Sequence, residues 1–180
     1  AYLMMEIDGT AAQVEHDANT IKEICREMKA REIREIEDER VARVYWKARA
    51  SMYPFIMTIF NRAVTEDITV PRSRIPDLVR SIQEIAASVG IMIGLAGHAG
   101  DGNMHPTVLQ TEFNEEIASK AKQAIDQMIR CGLELGGTIS GEHGIGIHKQ
   151  EYLAWELDQA QIDLMKRIKA AFDPRGIMNP

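Results

Sequence analysis

Cysteine is scarce in this chain: Cys25 and Cys131 stand far apart, with no C-x-x-C spacing. That argues against a disulfide framework and against a cysteine metal site, and points to a reducing, cytoplasmic compartment. Long apolar runs are missing too. No stretch approaches the roughly 18 residues needed to cross a bilayer, and no basic segment leads into an apolar one at the start. Any membrane association is therefore expected to come through partner subunits. Basic clusters are absent and the formal charge is -6, which excludes the basic stripe that a nucleic-acid surface needs. Internal repeats and low-complexity tracts are also absent.

What is present suits one compact domain over residues 1–180, with 45% hydrophobic content for a core. The chain begins at Ala1 inside a strand-like stretch and ends at Asn179-Pro180, so it is expected to be a piece of a longer protein. Tyr2 to Ile7 reads as a strand before Asp8-Gly9. Ala11 to Ala30 has helical spacing behind Thr10, and residues 32–37 allow an edge strand. Asp38 to Ser51 is expected to be helical and to end before Pro54, with Trp46 and Arg49 neighbours three apart.

After a Met- and Phe-rich segment, Glu66 to Val70 is a short β-rich run stopped by Pro71. Ile75 to Val89 is an amphipathic helix ended by Gly90, and Ile91 to Ala96 is a buried strand. Thr107 to Leu109 is its antiparallel return, and Asn114 caps a long helix that ends at Gly136-Gly137. Lys149 to Glu156 and Gln159 to Phe172 are helical. The pattern predicts an α+β fold: a ferredoxin-like split antiparallel sheet with helices on one face, plus a C-terminal helical segment.

Two glycine-dense stretches carry the chemistry. The first is Gly97-His98-Ala99-Gly100-Asp101-Gly102-Asn103-Met104-His105-Pro106, and the second runs from Gly137 through Glu142 and His143 to Gly146. Glycines allow the positive φ and close approach that fold side chains toward one point. His98 and His105 suit a divalent metal, zinc first and manganese or iron also, with Glu142 as third ligand. They could equally be loop histidines bonded to backbone. His143 does not easily share a ligand direction with Glu142 in an extended loop, which leaves it for general-base work. His16 and His148 read as solvated. Neither loop is a phosphate cradle, because the glycine spacing is reversed relative to the dinucleotide fingerprint and no Gly-Lys-Ser/Thr end follows. Arg49 could clamp a carboxylate or be an ordinary paired surface arginine.

Five ordered motifs carry a resemblance. They are Trp46-x-x-Arg49, Glu66-Asp67-Ile68-Thr69-Val70-Pro71, Gly97 to Pro106, Gly136 to Gly146 with Lys149, and Lys169 through Asp173-Pro174 to Pro180. Together they resemble the C-terminal part of the FAD-linked oxidases of the vanillyl-alcohol oxidase superfamily. Within it they most resemble the group of glycolate oxidase D-subunits, D-lactate dehydrogenases and D-2-hydroxyglutarate dehydrogenases.

The resemblance implies a substrate-binding cap domain of an FAD-dependent 2-hydroxy-acid dehydrogenase or oxidase. It implies metal ligands His98, His105 and Glu142, base His143, substrate-carboxylate arginine Arg49, and Asn179 near the flavin. It also implies partnership with an FAD-binding domain that this chain lacks, so the isolated chain is expected to be inactive. The electron acceptor is left open. Tyr53, Thr65 and Thr107 replace polar residues used for longer dicarboxylates, which favours glycolate or lactate. The competing expectation is a non-catalytic binding or assembly module that keeps the fold.

Overall fold

The computed structural model describes residues 1–179. The chain divides into two compact units, one from Ala1 to Ser51 and one from Met52 onward. The first holds two helices, α1 (Ala11–Glu27) and α2 (Glu39–Ala50). Thr10 and Asp38 cap them by accepting from the backbone N–H groups of Gln13 and Arg40, which satisfies donors the first turn leaves open. The strands expected at Tyr2 to Ile7 and at residues 32–37 do not form. Their apolar residues find no sheet: Tyr2, Leu3 and Met5 are all exposed. A β-rich composition without a partner ladder leaves the chain extended but unpaired.

The second unit opens with α3 (Met52–Ile59). α2 ends at Ala50, before Pro54 as the sequence predicts, and Pro54 lies in the first turn of α3, where a missing N–H costs no intrahelical bond. There follow β1 (Arg62–Thr65), β2 (Ile68–Thr69), α4 (Ile75–Val89), β3 (Met92–His98), β4 (Asn103–Gln110) and α5 (Glu115–Glu134). The C-terminal segment carries α6 (Leu153–Glu156) and α7 (Gln159–Phe172). Gly90 ends α4 at φ 70, as the sequence predicts.

All four strands are antiparallel, and β4 is the hub: β3 pairs along one edge, β1 and β2 along the other. Thr138 then bridges to Thr69 on the outer side of β2. Counting β1 and β2 as one interrupted strand, the order is residue 138, β2, β4, β3, with α4 and α5 as the two crossovers. This is the β-α-β-β-α-β arrangement of a ferredoxin-like fold, with its last strand reduced to a single bridge.

Alternation along β4 separates the two faces of the sheet. Met104 and Val108 join Ile68 in a core closed by Leu78, Ile82, Ile85 and Val89 of α4 and by Ala124, Met128 and Ile129 of α5. Asn103, His105 and Thr107 take the opposite, polar face. Among the described residues no helix is long and apolar enough to cross a membrane.

Candidate metal centre

The Gly97-to-Pro106 stretch is the tip of the β3–β4 hairpin rather than an open loop. His98 is the last residue of β3 and pairs with Asn103, the first of β4. The turn between them is closed by the Gly102 N–H donating to the His98 carbonyl at 3.0 Å and by the Asn103 N–H donating to Asp101 Oδ1 at 2.9 Å. Gly102 has φ 88, and a Cβ there would lie 2.1 Å from the Val70 carbonyl oxygen, so only glycine fits. His105 is two residues beyond Asn103, so it shares a face with His98. A rigid ladder therefore sets the spacing of the two imidazoles.

The opposite edge of β4 brings in Asp67. β1 and β2 follow one register on β4, with Thr65 opposite Thr107 and Ile68 opposite Met104, which puts Glu66 and Asp67 across from Pro106 and His105. The Glu66 N–H donates to the Pro106 carbonyl at 2.9 Å. Proline has no N–H to return, so the ladder breaks there. Asp67 thus faces His105, with Oδ1 4.0 Å from Nδ1.

Asp67 is fully buried. Its Oδ2 accepts from the Ser140 hydroxyl at 2.9 Å and from the backbone N–H groups of Gly141, Glu142 and His143 at 2.9, 2.9 and 2.8 Å. Burial pushes this carboxyl up, but the His143 and Glu142 N–H groups, the Ser140 hydroxyl and the Lys149 charge outweigh it and hold it at about 2. The second glycine stretch therefore wraps around one carboxylate oxygen. A Cβ on Gly141 would come within 2.1 Å of Thr69 Oγ1 and 2.8 Å of the Asn103 side chain, so glycine is what lets the segment close on the sheet.

Lys149, also buried, pins the same region from beneath. Its Nζ donates to the carbonyls of Asp67 at 3.0 Å and Ile139 at 2.6 Å, and stands 3.3 Å from Glu66 Oε2. Burial raises the Glu66 carboxyl, and the Lys149 charge opposes that rise.

The wrap aims three imidazoles at one carboxylate. Glu142 Oε1 lies 3.1 Å from His105 Nε2, 3.6 Å from His98 Nε2 and 3.7 Å from His143 Nε2. The His98 and His105 rings meet edge to face with centroids 5.3 Å apart, and the His143 ring stacks on His105 at 5.0 Å. His98, His105 and Glu142 each offer a ligand atom within 4.8 Å of the others; Asp67, His105 and His143 form a second such group. Two imidazoles and a carboxylate converging in this way suit a three-ligand divalent site.

The structure thus brings together His98, His105, Glu142 and His143. His143 differs from the sequence expectation: because residues 140–143 curl around Asp67 rather than run extended, its ring turns back toward Glu142. Arg49 lies on α2 in the first unit. Asn179, at φ 46, follows a turn in which Asp173 accepts from the N–H groups of Ile177 and Met178, both at 2.9 Å. His16 and His148 are exposed, as expected. Sequence reasoning missed Asp67, Ser140 and the buried role of Lys149. The signal was available in the Glu66-Asp67 pair inside a β-rich run, where acids are disfavoured unless something holds them.

A ferredoxin-like sheet whose polar face gathers histidines and a glutamate at one hairpin tip defines an α+β domain with a histidine–carboxylate centre. The chain belongs to the family of FAD linked oxidases, C-terminal domain, which it matches over residues 1–180. It is 41% identical over 180 residues to glycolate oxidase subunit GlcD of Bacillus subtilis (strain 168), covering 100% of this chain and 38% of that protein. GlcD of Escherichia coli (strain K12) is 31% identical over 180 residues, covering 100% and 36%. The mitochondrial D-lactate dehydrogenase [cytochrome] of Arabidopsis thaliana is 33% identical over 181 residues, covering 99% and 32%. The chain therefore spans between about a third and two-fifths of the length of these relatives.

Proposed function

We propose that this chain supplies the substrate side of an FAD-dependent oxidoreductase acting on the CH–OH group of a small 2-hydroxy acid, of the glycolate or D-lactate type. The observation that carries the reading is the convergence of His98, His105 and Glu142, with His143 beside them, in a chain 41% identical to a glycolate oxidase subunit.

In this reading His98, His105 and Glu142 hold a divalent ion, with zinc, manganese and iron all compatible with the donor set. Bound there, the ion would lower the pKa of a substrate hydroxyl, and a bound flavin would take the hydride from the carbinol carbon. Arg49 binds the substrate carboxylate through its planar pair of donors. His143 would take the hydroxyl proton on its imidazole, and the oxidised product would be a 2-keto acid or, from glycolate, the corresponding aldehyde acid. Asn179 would lie in the terminal segment that approaches the flavin. The flavin-binding domain of the same parent protein is the partner.

Two experiments test this. Metal analysis after mild purification should find a divalent ion in the wild type that is lost in both His98→Ala and Glu142→Ala; a wild type that refuses zinc, manganese and iron would remove the metal. A screen of the full-length protein with glycolate, D-lactate and D-2-hydroxyglutarate and an artificial electron acceptor should show turnover of the short acids. Turnover of none of them would remove the activity.

A further inference from the structure

We infer that Asp67 is the positioning residue of this centre: its buried carboxylate clamps Glu142 and His143 with one oxygen and orients His105 with the other. The inference rests on the metal reading above, in which His105 ligates through Nε2.

The clamp is direct. Three consecutive backbone N–H groups, from Gly141 to His143, and the Ser140 hydroxyl all donate to Asp67 Oδ2 at 2.8 to 2.9 Å. Ser140 Oγ in turn accepts from the Gly144 N–H at 2.8 Å, so the segment is tied before and after the two functional side chains. Without a buried acceptor, three adjacent amides would be left facing one another, an arrangement that only an anion relieves.

The orienting role follows from two unpartnered atoms. Asp67 Oδ1 and His105 Nδ1 are both buried without a hydrogen-bond partner, and they face each other at 4.0 Å across the broken ladder. That separation is roughly 1 Å beyond hydrogen-bond length. His105 Nε2 points the other way, to Glu142 Oε1 at 3.1 Å. An imidazole that ligates through Nε2 carries its proton on Nδ1 and needs an acceptor there, and a carboxylate is the common one. Asp67 Oδ1 is the buried acceptor facing that atom. One carboxylate thereby couples the sheet ligand, His105, to the loop ligand, Glu142, and to the base, His143.

The two roles separate in two variants. In Asp67→Asn the side-chain oxygen still accepts from the three amides, so the new NH2 faces His105 Nδ1 as a donor and opposes the ligating tautomer. Asp67→Ala removes both. Amide hydrogen exchange on the metal-free protein should show protection at residues 141–143 in the wild type and Asp67→Asn, lost in Asp67→Ala. Zinc titration should show affinity reduced about 10- to 100-fold in Asp67→Asn and at least as much in Asp67→Ala, and NMR of the zinc-loaded wild type should place the His105 ring proton on Nδ1.

Wild-type zinc affinity in Asp67→Asn, or a His105 proton on Nε2, overturns the orienting role; protection that survives in Asp67→Ala overturns the clamp. Should the wild type bind no zinc, the metal reading fails, the orienting role fails with it, and the exchange pattern still decides the clamp. If neither variant folds, the proton position in the zinc-loaded wild type decides the orienting role and its 141–143 protection decides the clamp.

Discussion

At the scale of single residues, the centre depends on buried charges that sequence spacing does not announce. Lys149 is the clearest case. It was visible as a lysine near the second glycine stretch, but only the fold shows it buried, bonded to the carbonyls of Asp67 and Ile139 and paired with Glu66. Removing one member of such a pair strands the other in a poorly solvated site. Lys149→Met should therefore lower stability by about 3–5 kcal/mol, with Glu66→Gln in the same chain recovering part of the loss. Urea unfolding of the single and double variants checks this; a loss below 1 kcal/mol would mean that solvent reaches Glu66. The four clustered residues His98, His105, Glu142 and His143 were legible in the sequence because histidines and an acid stood among glycines. Asp67 was not, because its partners lie more than seventy residues away in sequence and only strand register brings them together.

At the scale of elements, periodicity was a good guide where an element buries a face of its own and a poor one where pairing decides. The bounds of α4, Ile75–Val89, and the antiparallel return of β4 on β3 were readable because each has an apolar stripe or alternation facing the core. The run from Tyr2 to Ile7 has the composition of a strand but no ladder to join, and β1 was overlooked because its four residues, Arg62–Thr65, show little beyond Ala63 and Val64. His105 was assigned to a loop although it sits within β4, since the flanking glycine turn and Pro106 hid the alternation.

The C-terminal turn gives a prediction at this scale. Lys169 donates to Asp173, which also accepts from the Ile177 and Met178 N–H groups, and these partners hold its carboxyl at about 2. A carboxyl depressed below its unfolded value of roughly 3.9 adds stability that is fully present above that value and is lost as pH falls through the folded one. Wild type should exceed Asp173→Asn in thermal unfolding temperature at pH 5, with the gap closing between pH 4 and pH 2. A gap that stays constant over that range would show that the charge on Asp173 contributes nothing to the turn.

At the scale of the whole molecule, the buried apolar core draws only on residues from Ile68 to Tyr152, among the described residues. α1 and α2 contribute no buried residue to it. Within the first unit, helical order draws on caps and on pairs such as Lys22–Glu35, each worth well under the contribution of a core side chain. The second unit places its metal-centre candidates on β3, on β4 and on a segment tied to β2, all three braced against α4 or α5. Residues in a packed core open only with global unfolding, whereas elements without buried contacts open at far lower free energy.

Native-state hydrogen exchange should therefore divide the chain: β4, α4 and α5 slowest and alike, α1 and α2 faster by at least about tenfold, a difference of roughly 1.4 kcal/mol in opening free energy. Zinc should slow exchange at residues 98–105 and 140–143 and leave α1 and α2 unchanged, since a ligand stabilises only the structure that must close to bind it. Uniform protection across both units would mean that the first helices unfold with the core, and that the sheet does not hold the centre by itself.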